Sequence, residues 1–190
     1  AFDADLLRGK KIVVKNLAEG TSFVTLDGAE RKLSANDLMI CDGEGPIAIG
    51  GVFGGLHSGV TEETNNIFIE SAYFDPATIR RTSTRHGLRT EAAVHFEKGI
   101  DPHITWVALV RAAQLITEIA GGEIVTAPAD ILNKPFDPFR VFLNLAHVKR
   151  LVGIEIPAFD IEKIFLLFLP FIHPIYCVSP RQRYKPIMIY

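Results

Sequence analysis

Short apolar segments separated by glycine-containing turns constrain the fold of this chain more than any other feature. Residues 22–26 and 30–33 flank Asp27-Gly28, and residues 38–41 and 46–49 flank a second turn at 42–45. Glycine readily adopts the positive φ that tight hairpin turns require. These patterns predict two antiparallel hairpins, and residues 11–15 and 67–70 are typical of further strands. The first seventy residues are therefore expected to be β-rich and mainly antiparallel.

Helical signals begin near residue 75. Asp75 and Asp101 each precede a proline, which places an N-cap residue before a proline at the first helical position. These pairs predict one helix that runs to about residue 85 and a second helix that Gly121-Gly122 ends. We expect the apolar face of the second helix to lie in the core.

The C-terminal third carries weaker patterns. Residues 124–125 suggest a strand, Asn144 is expected to cap a helix through residue 151, and Asp160 a helix through residue 169. Together the patterns predict an α+β fold: a mainly antiparallel β-rich first part with helices packed on it, then a small partial helical module.

The length of 190 residues predicts one domain or slightly more. Residues 133–140 contain two prolines and no periodicity, as is typical of a linker. We therefore predict a first domain at residues 1–132, a linker at 133–140 and the truncated start of a second domain at 141–190. No pattern assigns the last twenty residues.

Bulk composition argues against several classes of protein. A net charge of −2 disfavours a chain that coats a polyanion along its whole length. The two cysteines are far apart and provide neither metal-site spacing nor a disulfide framework, so we expect a reducing, cytoplasmic setting. The apolar stretch at 164–178 is interrupted by Pro170, His173 and Pro174, and it is too short to cross a bilayer.

The glycine-rich run at residues 50–55 (GGVFGG) has three interpretations. It lacks the lysine of a P-loop and the glycine spacing of a dinucleotide site, which disfavours nucleotide binding. It can form a bulged turn where two backbones pack closely. It can also line a ligand pocket with backbone N–H groups, because glycine lets a ligand approach the main chain.

Glu70 follows the apolar residues Ile67, Phe68 and Ile69. Its side chain can point to solvent at a strand end, which residue type alone favours because most glutamates are exposed. It can instead accept a hydrogen bond from a ligand hydroxyl, amine or amide, because a buried carboxylate without a cation needs donors.

Residues 80–89 combine several cations with no acid, namely Arg80, Arg81, Arg85, His86 and Arg89. The arginines can follow the phosphates of an RNA. They can equally form a solvated helix face with a basic last turn, which the helix dipole favours. The sequence favours neither interpretation.

Metal and triad chemistry are not predicted. The six histidines are scattered, and no pair has metal-ligand spacing with an acid. Ser58 lies in no nucleophile motif and has no assignable base. We therefore expect each histidine to be an ordinary surface or turn residue, and we predict no catalytic side chain.

Several motifs resemble one family in order and spacing: AFD at the start, LDG in the first hairpin, GGVFGG, HSGVTEET, NIFIESAYFDPATIRRTSTRHGLRTEA and FEKGIDP. They are similar to the editing domain of bacterial phenylalanyl-tRNA synthetase beta subunits. The resemblance covers residues 1–131. Residues 140–169 more loosely resemble the start of the winged-helix-like domain that follows it.

The resemblance implies hydrolysis of tyrosine that was wrongly esterified to phenylalanine tRNA. On this basis Glu70 accepts the tyrosine hydroxyl, the amide of Gly51 contacts the same hydroxyl, and Gly54 lies in the pocket wall. Thr90 and Ala92 are the small residues that line the pocket. An apolar synthetic site rejects an added hydroxyl only by about a hundredfold, so a second site that reads the hydroxyl adds fidelity.

The resemblance also implies partners. These are phenylalanine tRNA, contacted through Arg80, Arg81, Arg85 and Arg89, and the alpha subunit of a heterotetrameric ligase. No cofactor is implied for this chain, because ATP and Mg²⁺ belong to the synthetic reaction of the full enzyme. Members of the family have a histidine before the AFD motif that this chain does not include, so we expect the isolated chain to be inactive. The alternative is a noncatalytic RNA-binding or structural module.

Overall fold

The computed structural model describes residues 1–132, 139–168 and 185–189. The chain divides into two compact units, Ala1–Asp130 and Ile131–Tyr190. Within the described residues it contains antiparallel sheets and helices, so the prediction of an α+β fold is confirmed. No described helix is both long enough and apolar enough to cross a membrane.

The first unit contains short strands that pair in antiparallel fashion. They are β1 (Phe2–Asp3), β2 (Val13–Asn16), β3 (Ser22–Val24), β4 (Glu30–Lys32), β5 (Leu38–Cys41), β6 (Pro46–Ile49), β7 (Phe53–Gly54) and β8 (Ile67–Phe68). One sheet has the order β2-β5-β6-β7, while β3 pairs with β4 and β1 pairs with β8. Both predicted hairpins, β3-β4 and β5-β6, are confirmed.

The glycine-rich run connects the first hairpin to the larger sheet. Thr25 forms a bridge with Gly55, and the amide of Leu26 donates to the carbonyl of Gly54 over 3.0 Å. The core beneath the sheet includes Leu33 and Met39, which are both fully buried. The run is therefore held between two β-elements rather than projecting as a free loop.

Three helices follow the strands of the first unit: α1 (Pro76–His86), α2 (Glu91–Lys98) and α3 (Ile104–Ala120). Asp75 caps α1 as predicted, since its carboxylate accepts a 2.8 Å hydrogen bond from the amide of Thr78. Gly87 ends that helix in the left-handed conformation that glycine adopts easily. The structure thus confirms the first predicted helix almost to the residue.

The structure differs from the sequence predictions in this unit at three points. Helix α2 was not predicted, and residues 124–125 form no strand. Helix α3 begins at Ile104 with His103 as its N-cap, so Asp101 does not cap it and instead accepts a hydrogen bond from the amide of His103. The prediction of a core face on α3 is also wrong for the described chain, where Ile119 is 83% exposed and Val107 58%.

The second unit contains β9 (Phe139–Leu143), α4 (Leu145–Val152), α5 (Ala158–Phe168) and β10 (Lys185–Ile189), with β9 and β10 antiparallel. The side chain of Asn144 caps α4, as predicted. Helix α5 begins at Ala158, so Asp160 lies in its first turn and does not precede it.

Of the predicted linker, residues 133–138 lie outside the described residues and residues 139–140 belong to β9. The predicted end of α5 at residue 169 and tail residues 171–184 and 190 also lie outside them.

Candidate functional site

The first half of the glycine-rich run is a tightly packed turn. Gly51 has a φ of +67°, and a Cβ at this position would lie 2.8 Å from both the Ile79 Cδ1 and the Phe74 Cδ2. No acceptor among the described residues takes the N–H of Gly51. Only glycine fits this position, and its amide remains able to donate to a ligand.

The second half of the run is more open. A Cβ added at Gly54 would meet no atom within 4 Å, whereas one added at Gly55 would lie 2.6 Å from the carbonyl oxygen of Ile47. Gly54 therefore borders open space, and Gly55 packs against backbone. The interpretation of a tightly packed turn therefore holds for Gly51 and Gly55, and the role of Gly54 in a pocket wall stays a prediction.

Thr90 ties helix α2 to this run. Its hydroxyl donates to the carbonyl oxygen of Val52 over 2.7 Å and accepts a 3.1 Å hydrogen bond from the amide of Ala93. Because the hydroxyl already donates its one proton, the side chain acts here as a clamp and helix cap. Ala92, the other small residue implied by the resemblance, is exposed on the same helix.

Thr90→Val is expected to lower the free energy of unfolding by about 2 kcal/mol, because it removes both the helix cap and the bond to Val52. Thr90→Ser keeps a hydroxyl that can make both bonds, so it serves as the matched variant. Urea unfolding followed by circular dichroism measures the difference. Equal midpoints for the two variants would show that the clamp contributes nothing.

Glu70 lies two residues beyond the end of β8, so it follows the strand rather than ending it. It is partly buried. No hydrogen bond or ion pair joins its carboxylate to a described residue, and because no buried polar side-chain atom of the described residues lacks a partner, its oxygens remain open to solvent. Burial raises the pKa of this carboxyl above its ordinary value, since it removes solvation that the ionised form needs, and the positive charge of the chain's N-terminus offsets this rise only in part. The result is a carboxylate that a ligand hydroxyl could satisfy.

The structure brings some of the predicted site residues together. Thr90 reaches the glycine-rich run through Val52, and Gly51 packs against Phe74. The ring of Phe74 in turn meets that of Phe96 on α2 edge-on, with centroids 5.0 Å apart. Gly51, Gly54 and Thr90 therefore share one neighbourhood. Glu70 begins the segment that leads to Phe74, but no hydrogen bond joins its carboxylate to the run or to Thr90.

The four arginines are exposed but differ in their contacts. Arg80 donates to the carbonyl oxygen of Glu97 over 3.0 Å, and Arg85 lies 3.8 Å from a carboxylate oxygen of Glu19. Arg81 makes only a 3.3 Å hydrogen bond to the hydroxyl of Thr78. The guanidinium groups of Arg80 and Arg85 thus already have partners in the chain. These contacts do not decide whether the arginines bind RNA phosphates or form a solvated helix face.

A buried polar network near the end of α1 is absent from the sequence predictions. The Nε2 of His86 lies 2.7 Å from a carboxylate oxygen of Asp37, and the two side chains are 6% and 2% exposed. Asp37 also accepts 2.8 Å hydrogen bonds from the amide of Ser34 and the hydroxyl of Thr82. The expectation of a surface histidine is therefore wrong for His86, and no sequence spacing signals a pair separated by 49 positions.

The described residues contain no group of three or more histidine, cysteine, aspartate or glutamate side chains arranged to hold a metal ion. The buried network instead joins α1 to the loop before β5. Burial by itself raises the pKa of Asp37, but the bonds from Ser34, His86 and Thr82 outweigh it and hold that pKa below its ordinary value. The network thus has the character of a structural anchor.

Comparison with known proteins places the chain among relatives of one kind. It is 50% identical over 163 residues to the phenylalanine–tRNA ligase beta subunit of Bacteroides fragilis, an alignment that covers 86% of this chain and 20% of that protein. It is 51% identical over 154 residues to the beta subunit of Porphyromonas gingivalis, covering 80% of this chain and 19% of that protein. The corresponding subunit of Geobacter metallireducens is 48% identical over 165 residues, covering 87% and 21%.

The chain therefore spans about a fifth of the length of the curated relatives it matches. The model of one domain family, the B3/4 domain, matches residues 1–121. This match contains the glycine-rich run, Glu70 and the whole of α1, α2 and α3. Because it extends over more than half of the 190 residues, the chain belongs to the B3/4 domain family.

Proposed function

We propose that this chain is the proofreading module of a phenylalanyl-tRNA synthetase beta subunit and removes tyrosine wrongly esterified to phenylalanine tRNA. Its relatives are phenylalanine–tRNA ligase beta subunits, which supports a role in protein biosynthesis with tRNA and an alpha subunit as partners. The observation that carries the specific activity is Glu70, a partly buried carboxylate without a hydrogen-bond partner among the described residues.

Discrimination in this proposal comes from one hydroxyl group. Tyrosine and phenylalanine differ only there, so a site selects tyrosine when its buried polar group is satisfied by tyrosine and left unpaired by phenylalanine. A hydrogen bond to a charged group contributes about 1.5–3 kcal/mol. Glu70 provides the acceptor, and the unpaired N–H of Gly51 provides a donor to the same oxygen.

In this proposal, small residues line the space for the aromatic ring. Gly54 borders open space, and Ala92 presents only a methyl group on the exposed side of α2. A larger side chain at either position would occupy that space. Thr90 keeps the run and α2 at a fixed separation through its bond to Val52.

The reaction is hydrolysis of an activated ester. Water adds to the ester carbonyl, the bond between the carbonyl carbon and the ribose oxygen breaks, and the ribose oxygen leaves with a proton from the water. Positioning alone can contribute much of such a rate. We assign no general base to this chain, so its residues act by orienting the ester and the substrate hydroxyls assist the proton transfer.

A noncatalytic RNA-docking module is the competing function, with the arginines of α1 as its contact surface. Arg80 and Arg85 have partners within the chain, which weakens this alternative. It predicts that charge reversal of Arg81 and Arg85 lowers tRNA affinity and reduces its salt dependence. The proofreading proposal requires no such effect on the rejection of tyrosine.

The proposal is tested by Glu70→Ala in the intact beta subunit assembled with its alpha subunit. The ratio of tyrosyl-tRNA to phenylalanyl-tRNA hydrolysis is expected to fall by about 10- to 100-fold, because one charge-assisted hydrogen bond is lost. Rates are measured as release of labelled amino acid from each aminoacyl-tRNA.

Glu62→Ala is the matched control, since Glu62 is an exposed acid in the loop before β8. Its hydrolysis ratio should equal that of the unmodified enzyme. If Glu70→Ala also leaves the ratio unchanged, the carboxylate does not read the hydroxyl and the proposed role is wrong.

A further inference from the structure

A cavity of about 390 Å³ lies beside the first turns of α1, and it is not part of the proposed proofreading site. Neither Glu70, Gly51, Gly54, Thr90 nor Ala92 lines it. Its volume lies within the range of pockets that bind small molecules, about 300–1,000 Å³. The cavity is therefore a second candidate ligand site, separate from the residues of the proofreading proposal.

Part of the wall of this cavity is apolar, and the remainder is polar. Leu38 from β5 and Phe74 and Ile79 from the α1 region form the apolar part, and Phe74 and Ile79 belong to the buried core. This part of the wall is held in place, because Ile79 is buried and also packs against Gly51. A ligand with an apolar group would remove that group from water by resting on this surface.

Two opposite charges border the same cavity. Asp75 and Arg81 both line it, and both are exposed. They form no ion pair with each other or with another described residue. The hydrogen bonds from Thr78 to Asp75 end on its Oδ2, so no side chain among the described residues donates to Oδ1. Both groups can thus accept a charged partner.

Asp75 is negatively charged, and Asn36 adds a neutral polar group to the same cavity. Hydrogen bonds from Thr78 hold the pKa of the Asp75 carboxyl below its ordinary value, and the charge of Arg81 lowers it further. Asp75 is therefore an anion at neutral pH. The amide side chain of Asn36, also on the cavity, makes no hydrogen bond to a described residue and adds a neutral donor and acceptor.

We propose that this cavity binds a free α-amino acid with an apolar side chain. Its carboxylate would pair with the guanidinium of Arg81, its ammonium group with the carboxylate of Asp75, and its side chain would rest on the apolar wall. A zwitterion matches two opposite charges bordering one apolar surface, whereas a nucleotide would place its phosphate near the Asp75 anion.

Isothermal calorimetry on the 190-residue chain tests the assignment with L-phenylalanine and L-leucine as probes. Phenylalaninamide, which lacks the carboxylate, and phenylpropionate, which lacks the ammonium group, are each expected to bind at least tenfold more weakly than L-phenylalanine. Arg81→Gln and Asp75→Asn should each weaken binding of both amino acids at least tenfold. Asn is as good an N-cap residue as Asp, so Asp75→Asn removes the charge while α1 keeps its cap.

Arg111→Gln is the matched control, because Arg111 is an exposed arginine on α3 whose partner is Glu118. It should leave amino-acid affinity unchanged, and so should Glu70→Gln, which separates this site from the proofreading pocket. The assignment is wrong if neither amino acid binds, or if phenylpropionate binds as tightly as L-phenylalanine. It is also wrong if a single-stranded RNA octamer binds in an Arg81-dependent manner and the amino acids do not.

Discussion

Gly51→Ala is expected to lower the free energy of unfolding by about 2–4 kcal/mol. The left-handed conformation costs a residue with a Cβ about 1–2 kcal/mol, and overpacking of a core adds about 1–3 kcal/mol. Both apply here, because φ is +67° and the new methyl group would lie 2.8 Å from atoms of Ile79 and Phe74. Urea unfolding monitored by circular dichroism measures the loss.

Gly54→Ala provides the comparison within the same run. Its φ is not positive, and its Cβ would meet nothing within 4 Å, so its free energy of unfolding should differ from that of the unmodified chain by about 0.5 kcal/mol or less. A Gly51→Ala chain as stable as the Gly54→Ala chain would mean that the turn does not pack against α1 as described.

Asp37→Ala is expected to cost about 3–5 kcal/mol, because it leaves a buried histidine and two further donors without their acceptor. These donors are His86 at 2.7 Å and the Ser34 amide and Thr82 hydroxyl at 2.8 Å. Domains of this size are stable by only about 5–15 kcal/mol, so the loss is a large fraction of the total. Glu123→Ala is the control, because Glu123 is an exposed acid that makes no hydrogen bond or ion pair within the described residues.

The same network predicts how stability depends on pH. The folded pKa of Asp37 lies below its ordinary value, so its ionised form stabilises the folded state. That contribution is fully present above the unfolded pKa of about 3.9 and is lost as the pH falls through the lower folded value. Asp37→Asn should therefore flatten the loss of stability below about pH 4. An unchanged acid profile would show that another carboxyl controls it.

Local chemistry made part of this fold predictable. Asp27-Gly28 specifies its own hairpin turn, and Asp75 bonds an amide three residues away, so both signals are complete within a short stretch of chain. Helix α2 has only eight residues, too few for a periodic signal, and the residue that caps it is also fixed by a bond to Val52. The helix therefore depends on a contact that no local pattern contains.

Tertiary contacts explain the remaining differences. The apolar spacing of α3 predicts a helix correctly, but spacing does not reveal whether another element covers the apolar face, and Ile119 is left exposed. His86 lacks any local partner, yet the chain brings Asp37 to it. For the candidate site, residue type alone favoured a solvent-exposed Glu70 and only the family resemblance implied a role for it, so its partial burial, like the clamp made by Thr90, required coordinates.

The most direct test of the central claim observes Glu70 itself. Glutamate side-chain carboxyls in the 190-residue chain are isotope-labelled, and the resonance of Glu70, assigned through Glu70→Gln, is followed during titration with L-tyrosine and then L-phenylalanine. Tyrosine is expected to shift this resonance and lower the carboxyl pKa, because a hydroxyl donor stabilises the ionised form, while phenylalanine should leave both unchanged. Equal shifts with the two amino acids, or no shift with saturating tyrosine, would contradict the account.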